Sequence, residues 1–139
     1  MRILSLALPF AFCCAVNGAT VAVVVKPGAA PVEKLAASEL ARYLGKLYPA
    51  DRFSAAAAVP ANGMSIVVGT PGSAPGLAQF KDRLGKPESF VVSAAGSTGY
   101  VAGADPSGAL YTTNNQNLLR SRRFSCCLGE LSDGSLSSR

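Results

Sequence analysis

Six carboxylates between Thr20 and Tyr111 are the side chains best suited to do chemistry: Glu33, Glu39, Asp51, Asp82, Glu88 and Asp105. Two carboxyl groups flanking one bond can act as acid and base, or as acid and nucleophile, and cleave a glycosidic linkage. That requires a shared cleft and environments that push their pKa values apart. The pattern supplies neither. Glu33 and Glu39 fall on one helical stretch and read as solvated charges. Glu88 leads into an extended stretch. Asp105 precedes a proline at the start of a second helix and reads as its cap. The chain has no histidine. Ser-His-Asp and Cys-His catalysis in their usual forms, and His-based zinc sites, are therefore excluded. Catalytic, cofactor-binding and metal-binding residues are all expected to be none, and no cofactor is expected.

Gly69-Thr-Pro-Gly-Ser-Ala-Pro-Gly76 follows an extended stretch and could suggest a phosphate loop. It lacks the closing Lys-Ser/Thr of a P-loop and the spacing of the dinucleotide fingerprint. Its two prolines also remove N–H groups that would hold phosphate. It reads as a surface loop.

These residues need elements to position them. Thr20–Val25 is a continuous β-branched run, as in a buried strand. Val32, Leu35, Ala36, Leu40, Tyr43, Leu44 and Leu47 recur at helical spacing and predict one apolar face over Val32–Leu47. Pro31 suits the first turn, and Gly45 and Pro49 mark the stop. Residues 51–64 read as an Ala-rich connection. Ser65–Gly69, Glu88–Ala94 and Tyr100–Ala102 read as three more strands, the last two antiparallel across the turn at Gly96–Gly99. Leu77, Phe80 and Leu84 predict a short helix. Asp105-Pro106 opens the second main helix, with Asp as N-cap and Pro at the first helical position.

Of 139 residues, 49% are hydrophobic and 15% charged, with a net charge of +5. That balance suits one small globular domain and not a disordered chain. Thr20–Tyr111 carries eight Lys/Arg against six Asp/Glu, without a basic stripe interleaved with aromatics, so nucleic acid is not an expected partner. Met1–Arg2, the apolar run Ile3–Val16 and the small residues Asn17-Gly18-Ala19 have the layout of a secretory signal peptide, expected to be cut after Gly18 or Ala19. The apolar run is shorter than a membrane span. Residues 1–19 are thus read as a leader, the protein as secreted or periplasmic, and no membrane association is expected after cleavage. Cys13–Cys14 and Cys126–Cys127 are adjacent pairs and give no disulfide framework between them.

Residues 112–139 contain no Ala, Val, Pro or Lys, although the chain before them is rich in Ala and Val. Residues 120–139 are read as a tail, either disordered and irregular or the product of a shifted reading frame near Tyr111.

The segments Ala37-Ser-Glu-Leu-Ala-Arg-Tyr-Leu44, Ile66-Val-Val-Gly-Thr70, Glu88-Ser-Phe-Val-Val92 and Val101-Ala-Gly-Ala-Asp-Pro-Ser-Gly-Ala-Leu-Tyr111, in this order, carry a resemblance. Residues 20–111 resemble the N-terminal domain of bacterial alpha-glucuronidases and the related domain of beta-N-acetylhexosaminidases. Gly103-x-Asp105-x-x-Gly108-x-x-Tyr111 is its most specific part. The resemblance implies an α+β fold: a small mixed sheet of about four strands with two main helices on one face, zincin-like and without the metal motif. It implies that residues 20–119 form a non-catalytic accessory domain of a glycoside hydrolase acting on polysaccharide. The partner would be a (β/α)8 catalytic barrel that this chain lacks. Such a domain alone is expected to leave the second sheet face open. A free-standing carbohydrate-binding module is the rival reading, and a small hydrolase a third. The family continues the last helix with Gly and apolar residues, whereas Thr112-Thr113-Asn114-Asn115 follow here.

Overall fold

The computed structural model describes residues 18–115 and 136–137. The leader before Gly18, Cys126–Cys127 and most of the expected tail lie outside them. Strands β1 (Thr20–Val24), β2 (Arg52–Ala56), β3 (Met64–Gly69), β4 (Phe90–Ala95), β5 (Thr98–Gly103) and the two-residue β6 (Leu136–Ser137) form one mixed sheet. Its order is β2-β1-β3-β5-β4-β6. β1, β2, β3 and β5 run parallel; β4 runs antiparallel to β5 and to β6.

Helix α1 (Pro31–Leu47) joins β1 to β2, and α2 (Pro106–Asn114) follows β5. Both pack on one face, over Val21, Val23, Ile66, Val68, Val92 and Val101. Leu40 and Leu44 of α1 are fully buried there. Each such side chain contributes about 1.5–3 kcal/mol by leaving water. The expected pair of helices on one face is present.

Three expectations need correction. First, residues 52–56 are not a connection but β2, paired in parallel with β1 from Thr20↔Arg52 to Val24↔Ala56. Its Arg-Phe-Ser-Ala-Ala sequence is short of β-branched residues, and its pattern is mostly exposed because it forms a sheet edge. Among the described residues there are five full strands, not about four. Second, the short helix expected near Leu77 is a 3-10 helix, Pro75–Arg83, and it lies on the second face. Leu77 and Phe80 cover Val67, Val91 and Ala102 there, so that face is half closed. Third, the buried face of α1 is rotated. Val32 is 36% and Leu35 50% exposed, while Glu33 is 3% exposed and Ala37 buried. The cause is Glu33, whose carboxylate is tethered at the corner described below.

α2 runs on through Asn114 even though the composition changes at residue 112. Thr112 and Thr113 are fully buried, each returning its hydroxyl to a carbonyl of the same helix, Gly108 and Leu110. Within the expected tail, Leu136 and Ser137 pair with Val92 and Val91.

Candidate functional site

The parallel strands point their C-terminal ends the same way, and two strand-to-helix corners sit there. Leaving β1 the chain moves to β2 through α1; on its other side β1 neighbours β3. That reversal is where open α/β sheets hold ligands, often at a helix N-terminus. In this protein the place is filled by the chain itself. Glu33 Oε2 accepts from Ala30 N–H at 2.9 Å, and Oε1 accepts from Thr70 N–H at 2.9 Å. Ser73 Oγ accepts from the same Thr70 N–H at 2.9 Å. One carboxylate thus holds the first turn of α1 to the loop after β3. It also favours the positive end of that helix. Ala30 has no side chain able to cap, so Glu33 does the capping from inside the helix.

At the second corner β5 turns into α2. Asp105 Oδ1 accepts from Gly108 N–H at 2.7 Å, and Oδ2 accepts from Glu88 N–H at 3.1 Å. These two bonds, Gly108 first, hold the Asp105 carboxyl below its ordinary value. Ala104 N–H donates to Ser89 O at 2.8 Å, closing the corner against the start of β4. The two glycines are required by close approach. A Cβ on Gly103 would stand 2.2 Å from Ala109 N, and one on Gly108 would stand 2.7 Å from Ser89 O. Gly-x-Asp-x-x-Gly is therefore a packing signature: strand end, cap, and a helix seated on a neighbouring backbone.

The remaining carboxylates are dispersed. Asp51 Oδ1 accepts from Ala19 N–H at 2.8 Å and ties the start of β2 to that of β1. Glu39 forms an ion pair with Arg42 on the exposed side of α1. The Arg42 bond lowers the Glu39 carboxyl, and Glu39 in turn raises the guanidinium. Asp82 and Glu88 are exposed. Only Glu88 and Asp105 are brought together, and there Asp105 binds the Glu88 backbone. Glu33 is not the solvated charge expected of it. The signal that could have shown this is its place three residues after Ala30, with Pro31 between, where a carboxylate can reach back to the helix start. Among the described residues no group of three His, Cys, Asp or Glu side chains could hold a metal ion.

Open depressions lie among the described residues, two of them beside these elements. One, of about 680 Å³, lies beside the second corner between Thr70, Lys81 and Asp105. The other, of about 420 Å³, lies on the uncovered half of the second face. Its floor is Val24 and Val67, its walls are Ala57–Val59 and Ser73–Ala74, and Tyr100 and Lys26 reach into it. Tyr100 also packs on Phe80 with ring centroids 5.6 Å apart. Tyr111, beyond the second corner, is 60% exposed and lies against Phe90.

No protein-family model matches the chain, and no curated protein matches it. Solved structures do. The fold is shared with part of several glycoside hydrolases. BtGH115A, a family GH115 4-O-methyl-alpha-glucuronidase with specificity for decorated arabinogalactans, aligns with a TM-score of 0.54 at 22% identity, over 70% of this chain and 13% of that one. CpGH84D, of family GH84, aligns with a TM-score of 0.53 at 16% identity, over 86% of this chain and 19% of that one. A GH138 enzyme targeting pectin rhamnogalacturonan II aligns with a TM-score of 0.52 at 17% identity, over 85% of this chain and 15% of that one. The chain thus spans less than a fifth of the length of each of these neighbours.

Proposed function

We propose that this chain is a non-catalytic accessory domain of a secreted glycoside hydrolase acting on polysaccharide, of the alpha-glucuronidase-like kind, and that it is a fragment of that enzyme. The observation that carries this is the self-occupied corner. The place where such a sheet would take a ligand holds the Glu33 carboxylate, bound to two backbone N–H groups. A carboxylate held that way, on a residue only 3% exposed, serves the fold and is closed off from a substrate. The shared fold with a minor part of three glycoside hydrolases supports the carbohydrate context. The catalytic carboxylates then belong to a (β/α)8 barrel that would pack against this domain. The signal-like start supports export, to the periplasm or beyond.

Sequencing the locus and translating all frames downstream of codon 112 tests this. A frame that resumes apolar residues after Tyr111 and runs into a barrel with two acidic residues is the expected result. A stop after Arg139 with no barrel in any frame would overturn it. The second reading, a free-standing carbohydrate-binding module, then takes its place, and the depression holding Tyr100 is where sugar would stack.

A further inference from the structure

We propose that a second copy of this chain pairs antiparallel along the outer edge of β2, about a two-fold axis through Ser54. β2 ends the sheet on one side, and β1 is its one strand partner among the described residues. The bonds Arg52 N–H to Ala19 O and Val25 N–H to Ala56 O fix which residues face β1. In a parallel ladder inward and outward residues alternate, so Arg52, Ser54 and Ala56 turn their backbone groups inward. Phe53 and Ala55 turn theirs outward, an N–H and a C=O each.

These outward groups are arranged symmetrically about Ser54. An antiparallel copy centred there sets Phe53 opposite the second copy's Ala55, and Ala55 opposite its Phe53. Each is a pair that exchanges two hydrogen bonds, so four bonds form about one axis. Ser54 meets its own image as a non-bonded pair, with the two side chains close enough for their hydroxyls to interact. Arg52 falls opposite Ala56, so the edge's one charge does not meet itself. No residue from Phe53 to Val59 is charged or proline, and Ser54, Ala55 and Ala57–Val59 are exposed. Proteins that keep a strand edge unpaired place charged residues, Pro or a bulge there; among the described residues β2 carries only Arg52 at its start, and none of these from Phe53 to Ala56. At the opposite edge β4 is paired with β6.

The test is the sedimentation of the purified full chain over a dilution series, beside Ser54→Lys. That change sets like charges face to face on the axis and leaves the β1–β2 ladder intact. A dimer that dissociates on dilution, and a Ser54→Lys variant that is monomeric and melts at the temperature of the native chain diluted to monomer, is the expected result. Hydrogen exchange gives an independent reading. The amides of Phe53 and Ala55 should slow as concentration rises, while that of Ser54 is slow throughout. A chain that stays monomeric would overturn the proposal. So would association that Ser54→Lys leaves intact, or one in which Phe53 and Ala55 exchange freely, as assembly through the apolar N-terminal stretch would give.

Discussion

The two strand-to-helix corners solve one problem by opposite means. Both must satisfy the free N–H groups that open a helix. At the β5–α2 corner the cap is Asp105, outside the helix, followed by Pro106 and framed by Gly103 and Gly108. At the β1–α1 corner the position before Pro31 is Ala30, and the cap comes from Glu33 within the helix. In the first, the capping bond itself is local: Asp105 bonds three residues on, to Gly108, and adds a bond 17 residues back, to Glu88 before β4. The second reaches 37 residues along the chain, to Thr70. A local cap announces itself in sequence, whereas a carboxylate that bridges two corners looks like a surface charge.

Substitutions separate the two. The largest effect is expected for Gly103→Val. Its Cβ would collide with the backbone of α2, and the chain should fail to give a cooperative melt by circular dichroism. Next comes Glu33→Ala, which leaves the Thr70 and Ala30 N–H groups without their carboxylate. A loss of about 2–4 kcal/mol in urea unfolding is expected: bonds to a charged group contribute roughly 1.5–3 kcal/mol each, and Thr70 N–H keeps Ser73 Oγ as an acceptor. Asp105→Ala should cost about 1 kcal/mol, the usual loss of an N-cap. If Asp105→Ala destabilises more than Glu33→Ala, the assignment of the long-range tether to Glu33 is wrong.

Acid sharpens the same contrast. The folded Asp105 carboxyl is depressed by its backbone bonds, so its contribution is present above the unfolded carboxylate value, about 3.9. It is lost as pH falls through the lower folded value. Urea midpoints for the native chain should fall across that interval, and those of Asp105→Ala should fall less steeply. The smallest effect is expected for Leu35→Ser. Leu35 is 50% exposed on α1, and its loss should change stability by less than about 0.5 kcal/mol. A larger loss would mean that α1 buries the face its periodicity suggests.

Periodicity and cap chemistry made much of the fold legible. The run Thr-Val-Ala-Val-Val reads as a buried strand because its three valines are buried, Val21 and Val23 under the helices and Val24 on the second face. Asp105-Pro106 reads as a helix start because the capping bond to Gly108 spans only three positions. β2 was not legible, because an edge strand needs no apolar alternation; its partner β1 supplies the order. The rotation of α1 was hidden for a related reason. Its apolar positions span more than one face, and the choice between Leu35 and Ala37 is made by Glu33 reaching a loop that sequence does not place nearby. The dispersal of the carboxylates was visible in their spacing; the backbone groups that occupy Glu33 and Asp105 were not.

The measurement that bears most directly on the central claim is a hydrolysis assay on the purified, folded chain, with glucuronide-bearing and pectic polysaccharides as substrates. No release of sugar above buffer is expected, because the carboxylates at both corners are committed to backbone N–H groups. Turnover that vanishes in Glu33→Gln or Asp105→Asn, with the fold retained, would contradict the claim.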